Sequence, residues 1–161
     1  MNPTRHIEPA NHRQAAWILT TLGILHIPLV GFHFAFPSLF GWSHDLPHLT
    51  RENAGLLICL HACGIFWLAS MGAATLVEGV RGLRGREQVL PRGFWLWMAG
   101  FYLFRFAAEI PSFGVALDGL AIMVLLAALV GAYLVAWRKL EPDFRTASSL
   151  GLHLRFGSML R

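Results

Sequence analysis

Charged residues are scarce in this sequence: only 14% of its 161 residues are Asp, Glu, Lys or Arg, whereas 55% are hydrophobic. A soluble domain usually carries about a quarter charged residues. The long apolar stretches also lack polar residues at helical spacing, which a helix with one face in water would need. The composition therefore excludes an ordinary soluble domain and predicts an all-α integral membrane protein.

Cysteine is almost absent, with only Cys59 and Cys63, and the sequence has no CxxC or Walker motif. Two cysteines four residues apart share one face of a helix, but a disulfide within a helix at this spacing is geometrically poor. We therefore expect two buried, small hydrophobic side chains. Neither a dithiol redox site nor a nucleotide-binding loop is indicated.

Four stretches are long enough to cross a hydrocarbon core of ~30 Å, which needs roughly 20 apolar residues. Little more than Gly114 separates the last two, so we expect them to form a tight helical hairpin. The prediction is a compact bundle of four transmembrane helices between an N-terminal cytoplasmic segment and a basic cytoplasmic tail. The predicted boundaries are 1–14 for the segment, 15–36, 54–77, 93–113 and 115–137 for the spans, and 138–161 for the tail.

The basic residues are distributed unequally between the two sides of this predicted bundle. Of the 13 Lys and Arg residues, Arg51 alone lies in the outer loop and Arg105 lies within a span. All the others fall on the side that holds both termini, which predicts cytoplasmic termini in a plasma membrane of the bacterial inner-membrane type. The tryptophans expected to be interfacial anchors at the inner ends of the spans are Trp17, Trp95, Trp97 and Trp137.

The expected partners follow from the same distribution. The pI of about 9.8 is explained by the basic loops and by anionic lipid head groups, so we expect membrane lipids as partners and no nucleic acid. Small residues at helix-packing spacing allow helices to approach closely in lipid. They are consistent with a compact bundle, a homodimer or a subunit of a membrane complex. The pairs are Ala69 with Ala73, Gly64 with Gly72, and Ala127 with Gly131.

Six ionisable side chains lie inside the apolar spans. A charge at the bilayer centre costs ~2.5 to 3.5 kcal/mol, so such residues usually face the bundle interior and have partners. Counting ~1.5 Å per residue from the outer end of each predicted span puts all six in the outer half. The sequence therefore predicts an outward-facing polar pocket whose members are His26, His33, His61, Arg105, Glu109 and Asp118.

The first function that fits this pocket is binding of a small lipid- or quinone-like ligand. Arg105 would hold a ligand oxygen, and His61 or Glu109 would be the catalytic residue if the site transfers protons, since histidine titrates near neutral pH. The remaining predicted ligand-binding residues are His26, His33 and Asp118.

Two other readings remain open from the residues. His26, His33 and His61 could bind zinc or copper, or supply the axial ligands of a single haem b in a redox protein. Alternatively, the chain is a structural or assembly subunit, in which an Arg105–Glu109 ion pair, four residues apart on one helix, only fixes helix pairing. The sequence does not name a reaction or a substrate.

Three segments resemble the small four-helix membrane proteins grouped as DoxX-like. They are HIPLVGFHFAFPSLFGW on the first span and following loop, REN at the start of the second span, and FRFAAEIPSFG at the end of the third. The resemblance implies a compact four-helix membrane fold and covers most of residues 20–135, with His26, His33, Arg105 and Glu109 at matching positions. Some members of the group are linked to quinone-coupled thiosulfate oxidation, but no cysteine or other redox signature here supports that activity.

Overall fold

The computed structural model describes residues 9–113 and 117–140, without the side chains of 9, 111–113 and 117–119. All regular secondary structure in these ranges is helical, which confirms the predicted fold class at that level. The α-helices are α1 (Pro9–Leu39), α2 (Trp42–Asp45), α3 (Arg51–Leu83), α4 (Arg92–Phe113) and α5 (Leu117–Lys139), and a single 3-10 turn (Leu46–His48) follows α2.

Three of the described helices are long and apolar enough to cross a membrane, over residues 10–39, 51–83 and 120–139. Helix α4 is not among them, and its apolar run is interrupted by Arg105 and Glu109. Helix α1 begins at Pro9, inside the segment predicted to precede the first span, and both α1 and α3 extend beyond their predicted spans. At ~1.5 Å per residue, the 33 residues of α3 span about 50 Å.

Glycines bring α1 and α3 into close antiparallel contact. A methyl group at Gly23 would lie 2.5 Å from the Cα atom of Leu76, and one at Gly82 would lie 2.8 Å from the Cβ atom of Ala16. Gly79 faces the backbone of Thr20 in the same way. Because a Cβ atom cannot fit at these distances, the glycines set both the helix separation and the register.

The predicted packing residues are found only in part at this interface. Gly72 lies against His26 of α1, whereas a methyl group at Gly64 or Gly131 would meet nothing within 4 Å. Of the predicted packing residues on α3, Gly72 therefore lies at a close contact with α1 and Gly64 does not. The prediction did not include Gly79 and Gly82, whose contacts depend on the register between two helices.

The two helical hairpins, α1 with α3 and α4 with α5, are joined mainly through α1 and α5. Their shared core contains Leu19, Met98, Leu129 and Tyr133, each at most 1% exposed. Trp95 is also fully buried in this core, stacked 6.3 Å from Tyr133, so its prediction as an interfacial anchor was wrong. The α4 face that carries Trp95 points at α5 and not at the bundle surface.

Helix ends from both hairpins meet at one end of the bundle. Arg92 at the start of α4 donates from Nε to the Trp137 carbonyl oxygen at 3.0 Å and lies 4.3 Å from the centre of the indole ring. Lys139 Nζ is 3.4 Å from Asn11 Oδ1 of α1. The beginning of α1, the α3–α4 loop and the end of α5 therefore share one end of the molecule.

The loop between α1 and α3 folds against the opposite end. Gly41 takes a positive φ of 62°, which reverses the chain after α1, and Thr50 caps α3 by accepting a hydrogen bond from Asn53 N at 3.3 Å. Trp42 from this loop lies 4.8 Å from the His61 ring of α3, so the loop covers the polar side chains at this end.

The two cysteines are free and exposed on the outside of the bundle, so the prediction that they are buried was wrong. Their half of α3 packs against α1 on one side only, and its other faces lie open. In a bilayer those faces would meet lipid, which suits small apolar side chains equally well.

We expect Gly79→Ala to destabilise the protein by ~1 to 3 kcal/mol, because the added methyl would lie 2.5 Å from Thr20 Oγ1 and force α1 away from α3. Gly64→Ala, on the same helix but with nothing nearby, is the matched control and should be neutral or slightly stabilising. Thermal unfolding of the two variants in the same detergent measures the difference. Equal stability would contradict a glycine-set contact.

Candidate functional site

The five predicted site residues whose side chains the structure describes do not lie in one pocket. His26 and His33 are seven residues apart on α1, about 10.5 Å along the axis. His26 lies in a network at the bundle centre, whereas His33 lies nearer the outer loop with His61, Arg105 and Glu109. Asp118 is outside the described side chains. We call the two groups the central network (His26, Thr75, Tyr102, Tyr133) and the outer cluster (His33, His61, Arg105, Glu109).

His26 has a hydrogen-bond partner on each ring nitrogen and is only 2% exposed. Its Nδ1 atom is 2.7 Å from the Leu22 carbonyl oxygen, which can only accept, so Nδ1 carries the proton. In the neutral ring Nε2 must then accept, and the Tyr102 hydroxyl 2.5 Å away donates to it. This bond joins α1 to α4.

A second pair completes the central network. The Thr75 hydroxyl donates to the Met71 carbonyl oxygen at 2.8 Å, so the Tyr133 hydroxyl, 3.0 Å from Thr75 Oγ1, is the donor to it. The rings of Tyr102 and Tyr133 stack with centroids 5.8 Å apart. Side chains from α1, α3, α4 and α5 therefore meet here with their hydroxyl and imidazole groups paired.

Sequence reasoning missed three of these four residues. Tyr102 and Tyr133 are the only tyrosines in the chain, and both lie in predicted spans. Their position inside the spans could have predicted buried hydrogen bonds, because a tyrosine hydroxyl inside an apolar bundle needs a partner. Thr75 gave no such signal, since a threonine in a helix can bond to its own backbone.

Arg105 and Glu109 form the predicted ion pair between Arg105 Nη2 and Glu109 Oε1. The two side chains differ in exposure, at 45% for Arg105 and 4% for Glu109. The second carboxylate oxygen, Glu109 Oε2, is buried without a hydrogen-bond partner. Burial of a carboxylate oxygen without a hydrogen bond costs free energy, and Glu109 Oε2 is an acceptor that still lacks a donor.

The imidazole of His33 on α1 lies near that of His61 on α3, with ring centres 6.4 Å apart and Phe36 beside both. The three rings are within about 23° of parallel, and Phe36 is 4.6 Å from His33 and 5.7 Å from His61. His33 donates from Nδ1 to the Leu29 carbonyl oxygen at 2.8 Å. His61 Nε2 is buried and has no hydrogen-bond partner.

Electrostatics link the members of the outer cluster. The charges of Arg105 and Glu109 and the ring of His61 all lie close enough to His33 to act on it. The cluster therefore draws on α1, α3 and α4. Two of its buried polar atoms, His61 Nε2 and Glu109 Oε2, lack a partner.

An open, largely apolar groove of about 410 Å³ adjoins the outer cluster. Two of its walls, Phe36 and Trp42, are also the rings that lie against His61. Its volume falls in the range of about 300 to 1,000 Å³ found for small-molecule sites. The other lining residues are Phe40, Asp45, Leu46, Leu49 and Leu57.

The histidines predicted as alternative metal ligands are not arranged around a common point. Within residues 9–113 and 117–140, no three His, Cys, Asp or Glu side chains are placed to share a metal ion. His26 has both nitrogens engaged. A haem between His33 and His61, whose ring centres are 6.4 Å apart, would have to displace Phe36.

Comparison with known protein families, curated proteins and solved structures gives no match to this chain. The outer cluster offers an ion pair, two imidazoles and an unpartnered carboxylate oxygen next to an apolar groove. Such a combination of an apolar wall with a few convergent polar groups is typical of ligand sites.

We expect Tyr102→Phe to cost ~1 to 3 kcal/mol of stability, because it leaves the buried His26 Nε2 without a donor. Tyr133→Phe should cost less, since Thr75 keeps its bond to the Met71 carbonyl oxygen. Unfolding of both variants in the same detergent gives the comparison. A larger loss for Tyr133→Phe would contradict the proton assignment above.

Proposed function

We propose that this chain is an integral membrane protein that crosses the bilayer four times, with both termini in the cytoplasm. In this proposal the outer cluster and the adjoining groove bind a small lipid- or quinone-like molecule. The observation that carries it is the pair of buried, unpartnered polar atoms, His61 Nε2 and Glu109 Oε2, in one cluster beside a groove.

The fourth crossing is supported by the packing of α4. Its 22 residues give a length of about 33 Å, and it packs along the apolar helix α5. Its two internal charges, Arg105 and Glu109, pair with each other, which lowers the cost of burying them in lipid. The gathering of basic helix ends at one end of the bundle supports cytoplasmic termini by the positive-inside rule.

Cysteine accessibility tests this topology. In a Cys59→Ala, Cys63→Ala background, a cysteine at exposed Ser43 should react with a membrane-impermeant maleimide added to intact cells. A cysteine at exposed Arg86 should react only after the cells are opened. Labelling of both positions in intact cells, or the reverse pattern, would contradict the proposed orientation.

The case for a ligand site rests on the contrast between the outer cluster and the central network. His26, Thr75, Tyr102 and Tyr133 are paired with each other or with backbone. A cluster that only fixed helix pairing would be expected to be satisfied in the same way, because a partly satisfied buried network costs stability. A ligand that fills the missing bonds accounts for His61 Nε2 and Glu109 Oε2.

Proton transfer belongs to this proposal as the chemistry that His61 and Glu109 could perform. Imidazole and carboxylate side chains are the groups that most often transfer protons in enzymes. Arg105, 45% exposed, neutralises the carboxylate charge of Glu109.

The test uses His61→Phe, which keeps the ring against Phe36 and Trp42 but removes Nε2. Protein purified into lipid nanodiscs is extracted with organic solvent, and the extract is analysed by mass spectrometry. We expect a compound that co-purifies with the wild-type protein to fall at least tenfold in His61→Phe, because its hydrogen bond to Nε2 is lost. Density for that compound beside His61 would locate it.

The matched control is His44→Phe, since His44 lies in the covering loop with its side chain 81% exposed. It should retain the compound in full. The ligand proposal fails if no compound co-purifies with the wild-type protein and if His61→Phe folds and supports the same cellular phenotype. The alternative hypothesis of a structural or assembly subunit would then take its place.

A further inference from the structure

Hydrogen-bond capacity distinguishes the kinds of ligand that the outer cluster could hold. His33 uses its Nδ1 proton on the Leu29 carbonyl oxygen, so Nε2 of the neutral ring is an acceptor. Glu109 Oε2 is a carboxylate oxygen and also only accepts. Of the three atoms, only His61 Nε2 could donate instead. Arg105 is the donor of the cluster and pairs with Glu109 Oε1, so a ligand that fills Glu109 Oε2 must bring a donor hydrogen of its own.

Charge restricts the ligand further. Glu109 is almost completely buried, and its charge is balanced by Arg105. An anionic ligand would have to compete with Glu109 for Arg105 and would bring a second negative charge next to a buried carboxylate. A neutral ligand avoids both costs and leaves the Arg105–Glu109 pair intact.

The groove supplies the place for an apolar body. Phe36 and Trp42 form a wall of the groove and also lie against His61. A molecule whose apolar part lies along this wall would therefore lie next to the two rings that contact His61. Asp45 is the one charged residue among the groove walls that the structure describes, so the groove itself offers little to a charged chain.

Building on the proposed ligand site, we infer that its ligand is a neutral amphiphile with a hydroxyl group as the hydrogen-bond donor. The hydroxyl donates to Glu109 Oε2 or to an imidazole Nε2 of the outer cluster, and the apolar body occupies the groove. This narrows the site from lipid- or quinone-like molecules in general to those that carry a free hydroxyl at the polar end.

Three probes with the same heptylphenyl body test the inference: 4-heptylphenol, its methyl ether 4-heptylanisole, and 4-heptylbenzoate. The first carries a hydroxyl donor, the second has lost it, and the third is an anion. Binding to the purified protein in lipid nanodiscs is measured by isothermal titration calorimetry against empty nanodiscs. We expect the phenol to bind at least tenfold more tightly than the ether and the benzoate.

The variant His33→Phe keeps the stack on Phe36 but removes the Nε2 acceptor, and it should reduce the preference for phenol over ether. His48→Phe, in the exposed loop, is the matched control and should preserve the preference. Glu109→Gln tests the carboxylate in the same way, and thermal unfolding confirms that each variant is folded.

Equal affinity for phenol and ether, tighter binding of benzoate, or no binding of any probe would overturn the inference. These failures differ from failure of the proposed function. A co-purified compound that lacks a hydroxyl, and that is lost in His61→Phe, would leave the ligand site standing and refute the hydroxyl donor. Absence of any co-purified compound, with His61→Phe unaffected, would refute the site itself.

Discussion

The close contact of α1 and α3 at Gly72 decides where the polar centre of this bundle lies. A methyl group at Gly72 would collide with the Cβ atom of His26 and come within 2.8 Å of Cγ, so the imidazole occupies space that only glycine leaves open. Seated there, the ring bonds to Leu22 on one side and to Tyr102 on the other. A residue without a side chain on α3 thereby positions the hydrogen bond that joins α1 to α4.

In a bilayer the two hairpins would depend on that bond and its neighbour, because lipid supplies no strong hydrophobic force between helices. Packing and interhelical hydrogen bonds must then hold them together. The His26–Tyr102 and Thr75–Tyr133 bonds each cross from the first hairpin to the second. The stacked rings of Tyr102, Tyr133 and Trp95 fill the space between them. Polar pairing and aromatic packing thus act at the same level of the bundle.

The helices could be predicted from the sequence because a long apolar run leaves the backbone few alternatives. The Thr50 cap could be predicted for a similar local reason. The partition of the polar residues could not. His26 and His33 share one face of α1, but Tyr102 reaches the first and Arg105 and Glu109 the second. Which residue of α4 meets which turn of α1 depends on how the helices cross and on their register. Both are set by contacts such as that of Gly79 with Thr20, two residues far apart in sequence.

The same register explains why the outer cluster is left incomplete. α4 meets α1 at the central network, where short distances allow each hydroxyl and imidazole to find a partner. Nearer the outer loop, Phe36 packs against His33 and His61, and Trp42 packs against His61. A ring face is a weaker hydrogen-bond partner than a polar oxygen or nitrogen atom. His61 Nε2 and Glu109 Oε2 are buried there without a hydrogen-bond partner. In the proposed function, a molecule from outside the chain supplies the bonds that His61 Nε2 and Glu109 Oε2 lack, as Tyr102 and Tyr133 do for His26 and Thr75 at the centre.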